Sequence, residues 1–224
     1  MTLNYLGNDN ILYVNVSYDF RTIIYINEKE NFMRVTFNCQ KEWYNSFLQF
    51  QNLKNNSENL IFEDDKNNMW NPTMYSINIE SQSKCQRTEE IEISKIVPNK
   101  EFNYTYNSFT SFQNAFLFEG SKNYVVQNWT WSCEYICKFE YSWYPFDTQS
   151  CHKLNQIAGN LKLRPLKLYY SGNEDLGKYY FRRLEYCERD KYGRDGLFIT
   201  FLFSRPIMRK VLFEKCHFCV NHYT

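Results

Sequence analysis

Hydrophobic and polar residues alternate most clearly from Trp129 to Trp143. Trp129, Trp131, Cys133, Tyr135, Cys137, Phe139, Tyr141 and Trp143 take every second position, with Thr130, Ser132, Glu134, Lys138, Glu140 and Ser142 filling most of the gaps. A period of two marks a β-strand, because successive side chains leave opposite faces of the backbone. One aromatic face is therefore expected to be buried, Trp129 and Trp131 included. A second alternation, Leu197, Ile199, Phe201 and Phe203, follows the turn signal KYGRDG. It is expected to stop at Arg205-Pro206, since proline has no N–H to give to a ladder.

Weaker strand candidates are Leu12 to Phe20, Val35 to Cys39, Trp43 to Phe50, Met74 to Ile79, Ile91 to Ile96, Asn114 to Phe118, Leu161 to Tyr170 and Tyr179 to Tyr186. Turn chemistry separates them at NNSEN, NPT, EGSKN and SGNED, and EDDKNN reads as a solvated loop. About ten short strands between polar turns predict an all-β chain, a sandwich or barrel. There is no internal repeat and no low-complexity linker, so residues 1–205 are expected to form one domain.

Composition agrees with strands. Phe and Tyr each occur 19 times, whereas alanine, the strongest helix former, stands only at Ala115 and Ala158. The formal charge of +1, from 26 basic and 25 acidic residues, supplies no field for nucleic acid or an acidic membrane surface. Nucleic acid is not expected as a partner. Eight cysteines, with glycosylation sequons at Asn15, Asn55, Asn103 and Asn128, favour an extracellular setting. MTLNYLGNDN has neither a basic nor an apolar signal region, and no run of about 18 apolar residues spans a bilayer.

Catalytic signatures are missing. There is no G-x-S-x-G, no H-E-x-x-H and no phosphate-binding glycine loop, and the histidines are His152, His217 and His222. No enzymatic activity and no cofactor are predicted. Cys216 and Cys219 have a C-x-x-C spacing, but zinc needs a second pair of ligands and His222 supplies one at most, so no metal site is predicted.

The segment CKFEYSWYPFDTQSC sets thirteen residues between Cys137 and Cys151. A disulfide closing a loop of about 15 residues would contribute roughly 3 kcal/mol by restricting the unfolded chain. Inside it, Tyr144-Pro145 is a candidate cis peptide, and Tyr144, Pro145 and Phe146 form an apolar tip of the kind that needs a docking partner. Asp147 follows, placed to cap the turn or to meet a cation from elsewhere.

This loop resembles the signature loop of the Cys-loop receptors, the pentameric ligand-gated ion channels. Other segments fall in the family's order: INEKENFMRVTF and KEWYNSFLQF, NMWNPTMYSIN with its W-x-P, FEGSKN before the loop, then SGNEDLGKYYFRRLEYC and LFITFLFSR. The chain is identified as a divergent member, over roughly Leu12 to Arg205. The resemblance implies an extracellular ligand-binding domain, an immunoglobulin-like β-sandwich in a homo- or hetero-pentamer of homologous subunits. It implies a small-molecule agonist between subunits, a bridge from Cys137 to Cys151, and a loop tip (Tyr144, Pro145, Phe146, Asp147) resting on a membrane domain, with Arg205 close to Asp147. The expected location is the extracellular side of the plasma membrane, with a secreted transmitter-binding protein as the alternative.

For the ligand, the resemblance carries over Phe50, Trp70, Tyr186 and Tyr192, rings suited to a cation. Phe50 reads equally well as core. Two of the family's rings are replaced, by Ile77 and in the neighbourhood of Ala158, and the adjacent cysteine pair of acetylcholine-binding subunits is missing after Tyr186-Cys187. Acetylcholine is therefore not expected as the agonist. Cys133 and Cys137, about 13 Å apart on one extended strand, cannot bridge each other. The six cysteines outside the loop leave 15 pairings open. KVLFEKCHFCVNHYT does not resemble a first membrane helix, so residues 206–224 are expected to be a divergent tail in its place.

Overall fold

Alternating apolar positions build strands here, and two layers of them enclose the core. The computed structural model describes residues 12–51, 53, 59–61, 69–77, 85–88, 93–97, 117–157, 161–189 and 195–206. Every regular element among them is a strand: β1 Leu12–Asn27, β2 Phe32–Tyr44, β3 Gln49–Gln51, β4 Asn59–Leu60, β5 Met74–Ser76, β6 Cys85–Arg87, β7 Ile93–Val97, β8 Leu117–Glu119, β9 Tyr124–Lys138, β10 Thr148–Ile157, β11 Leu161–Tyr170, β12 Tyr180–Arg189 and β13 Asp195–Ser204. The expected β-sandwich is thus the fold. Its count passes ten because several members are only two or three residues long.

One layer is built on β11, β1, β2 and β9, with β6 and β7 also paired to β9 and β4 to β7. The other is built on β5, β10, β13 and β12. They join strand to strand at one corner, where β9 and β10 pair through Lys138–Ser150 and Cys137–Cys151. Between the layers lie Val14, Val16, Tyr18 and Phe20 of β1, Val35 and Phe37 of β2, and Leu197, Ile199, Phe201 and Phe203 of β13. The Phe20 ring meets Phe201 edge-on at 4.8 Å, linking the layers. Burying one such ring stabilises by about 1.5–3 kcal/mol.

Two expectations need correction. The alternation from Trp129 does not stay in a strand to Trp143: β9 ends at Lys138, and Tyr141 and Trp143 are exposed in the loop. The polar face of β9 is buried as well, with Thr130, Ser132 and Glu134 joined by hydrogen bonds and an ion pair to Asn38 and Arg34 of β2. Trp43 to Phe50 is not one strand. The Asn45 side chain accepts a hydrogen bond from the Phe47 amide, and Gly120 packs so closely that a Cβ there would lie 2.1 Å from the Asn45 carbonyl oxygen. The chain therefore turns at Asn45 and restarts as β3.

Candidate functional site

The loop between β9 and β10 is anchored at its base and exposed at its tip. Cys137 and Cys151 are bonded to each other, and a second disulfide joins Cys85 to Cys133. Cys39 is a buried thiol and Cys187 an exposed one, while Cys216, Cys219 and the tail lie outside the described residues. Tight turns form where the Tyr144 amide donates to the Tyr141 carbonyl at 3.0 Å and the Phe146 amide to that of Trp143 at 2.6 Å. The Tyr144-Pro145 bond is cis. Trp143, Tyr144 and Phe146 are 79%, 67% and 51% exposed, which makes an apolar fingertip.

Behind this tip the chain turns polar. Asp147 is buried, and Arg205, the residue after β13, donates from Nε to its Oδ1 at 3.2 Å and its Oδ2 at 3.3 Å. The other end of the same guanidinium grips Glu28, at 3.0 Å from Nη1 to Oε1 and 3.4 Å from Nη2 to Oε2. Its Cζ lies over the Tyr179 ring at 4.4 Å from the ring centre and over that of Tyr144 at 5.3 Å. Only arginine has a planar fork able to serve two carboxylates while stacking on rings. Gln149 completes the cluster by donating to Asp147 and to the Glu140 carbonyl.

Glu28 reaches this place through the hairpin between β1 and β2. Asn27 closes it, its side chain accepting from the amides of Lys29 and Glu30 at 3.1 and 3.2 Å. Asn31 sits at φ 57°, a left-handed conformation that asparagine tolerates. The Asn31 carbonyl then accepts from the Cys137 amide at 2.8 Å, which ties the hairpin to the loop.

The charges are strongly coupled. Burial raises the pKa of Asp147, but hydrogen bonds from Gln149 and Arg205 outweigh it and hold the carboxyl below its ordinary value. Glu28 behaves alike: burial is outweighed by the hydrogen bonds and the charge of Arg205. For Arg205, burial is overcome by Glu28 and Asp147, so its guanidinium is held above its usual range.

The family model for the neurotransmitter-gated ion-channel ligand-binding domain matches residues 6–155 of this chain. The chain belongs to that family. No curated protein matches it. As a ligand-binding domain of a neurotransmitter-gated channel, it carries its matched span from before β1 into β10, through the loop and both disulfides. Among the described residues, no helix is long and apolar enough to cross a membrane.

The rings expected at the ligand site of this ligand-binding domain stand on separate elements. Phe50 is half-buried on β3, opposite Phe118 of β8; Trp70, 43% exposed, precedes β5; and Tyr186, 56% exposed, lies on β12 opposite Ile199. No ring contact joins any two of these three. Tyr192 and Ala158 lie outside the described residues, as do Asn55 and Asn103. Asn15 and Asn128 are half-buried on β1 and β9, strands paired on both flanks. Sequence reasoning missed Glu28, Tyr179 and Gln149. Only Glu28 left a trace, in the INEKEN turn; Tyr179 is separated from Arg205 by the whole of β12 and β13, and Gln149 lies on β10, whose inward face looks polar.

Proposed function

We propose that this ligand-binding domain binds a small agonist where it meets neighbouring subunits of a pentamer, and passes the event to a pore through its base. The observation that carries this is the buried Arg205, tied to Asp147 and Glu28, set directly behind an exposed apolar fingertip. A tip of three large apolar side chains is a docking surface in search of a partner, and the membrane domain of the same subunit is the partner in this reading. Phe50 would serve the complementary face of a site, and Trp70, Tyr186 and Tyr192 the principal face. Phe50 stands on a different element from Trp70 and Tyr186, which suits a site shared between two chains. In this reading residues 1–205 are the extracellular domain at the plasma membrane, 206–224 a divergent tail, and Asn15, Asn55, Asn103 and Asn128 the glycan acceptors.

The test is a chimera carrying residues 1–205 on the membrane domain of a channel of this family, recorded during application of candidate transmitters. Evoked current, with Asp147→Asn and Arg205→Gln strongly non-additive in a double-mutant cycle, is the expected result. Transmitter binding with no current in any pairing would instead favour a secreted binding protein. A strictly monomeric domain that also fails to join other subunits would overturn the interface site.

A further inference from the structure

A cavity of about 630 Å³ opens between the two sheets of a single chain, within the roughly 300–1,000 Å³ usual for small-molecule sites. Its lining is unusual in charge. Lys41 of β2, Arg87 of β6 and Lys153 of β10 contribute to it, and no Asp or Glu does among the described residues. Aromatic walls come from Tyr18, Phe37, Trp129 and Trp131. Asn71, Thr73, Tyr75 and Arg87, all exposed, form the mouth.

At the inner end two donors await an acceptor. Lys153 is 2% exposed; its ammonium donates to Tyr135 Oη at 2.6 Å and Ser76 Oγ at 3.2 Å, and it lies over the rings of Phe37, Tyr135 and Tyr18 at 4.5, 4.7 and 5.2 Å. An ammonium has three N–H donors, and none of its partners here is an anion. One strand step away on the same face, Asn155 is 1% exposed, and its Nδ2 has no hydrogen-bond partner although its Oδ1 accepts from Ser76 at 2.9 Å. A buried cation without a counter-charge and a buried amide without an acceptor are each costly. One carboxylate would satisfy both.

We propose that this cavity binds a small aromatic carboxylate, with the carboxylate on Lys153 and Asn155 and the ring between Trp129, Trp131 and Phe37. Lys41 supplies further positive potential from 4.8 and 5.2 Å over Trp43 and Trp129, while it holds Asn71 and the Pro72 carbonyl at the mouth. The site lies within one chain and is independent of the agonist reading above, so a monomer suffices for it.

Binding is linked to proton uptake. Burial pushes Lys153 down to about 7, and a ligand carboxylate restores its charge. The titratable groups around it are Tyr18 from β1, Cys39 and Lys41 from β2 and Tyr135 from β9. Burial raises both tyrosines and takes the Cys39 thiol up to about 11. Of Lys153, Tyr18, Cys39 and Tyr135, Lys153 is the one shifted toward neutrality.

The test titrates the purified full chain with benzoate, and with benzamide and benzylammonium as neutral and cationic counterparts, by calorimetry and tryptophan fluorescence. Benzoate is expected to bind about tenfold or more tightly than either counterpart, the value of one charge-assisted hydrogen bond. Its affinity should fall as pH rises from about 6 to about 9. Lys153→Met should remove the preference and the pH dependence while keeping the fold. Asn155→Asp, which sets a carboxylate in the same place, should abolish benzoate binding and serves if the first variant does not fold. No benzoate binding, equal binding of all three probes, or unchanged binding in the folded variants would overturn the site. None of those outcomes touches the channel reading, which rests on the base and the outer rings.

Discussion

Two buried cations in this domain are held in opposite ways. Arg205 is 9% and Lys153 2% exposed, and both lie against tyrosine rings. Arg205 has two carboxylates, Asp147 and Glu28, whereas Lys153 has hydroxyls and ring faces. Counter-charges outweigh burial in the first case and hold the guanidinium charged. In the second, burial dominates and the ammonium drops to about 7. A cation buried with its partners is a fixed strut, and one buried without them answers to whatever enters beside it.

The sharpest way to break the comparison is Arg205→Gln. It strands Asp147 and Glu28 behind the fingertip, and breaking a buried pair costs about 3–5 kcal/mol, read by urea unfolding. A loss under about 1 kcal/mol would mean that the base is not a strut. Lys153 should act through pH. Its pKa is lowered on folding, so the unfolded chain binds more protons between about 7 and the ordinary lysine value of about 10.4. Stability should therefore rise with pH across that window, at up to about 1.4 kcal/mol per pH unit, and the rise should vanish in Lys153→Met.

Smaller effects sharpen the contrast. Arg205→Lys keeps the charge but loses the fork, so one carboxylate is released and stability falls by about 1–3 kcal/mol in the same unfolding experiment. Smallest is the acid limb. Asp147 and Glu28 have lowered pKa values, so their contribution is complete above the ordinary carboxylate value of about 4 and is lost as pH falls through their native values. Unfolding midpoints followed below about pH 4 should show that loss, and Glu28→Gln should reduce it.

The strands with aromatic inward faces were legible in the sequence, and those with polar inward faces were not. β13 announced itself through Leu197, Ile199, Phe201 and Phe203, all fully buried. β10 was missed because its inward residues are Gln149, Cys151, Lys153 and Asn155, which read as a polar segment until the base cluster and the cavity are seen to need them. The loop and its neighbour Arg205 were named through family resemblance. Glu28 lies 177 residues from Arg205, and no local pattern joins them. The bridge from Cys85 to Cys133 depends on the pairing of β6 with β9, a register that cysteine counting cannot supply.

The single corner joining the sheets gives the base cluster a second role. Lys138–Ser150 and Cys137–Cys151 are the only strand-to-strand rungs between the layers among the described residues. Arg205 follows β13 in one layer, Glu28 follows β1 in the other, and Asp147 sits beside the corner itself. Through one guanidinium the three therefore bind the two layers and the root of the loop together by side chains, next to the one place where the backbone ladder already does so.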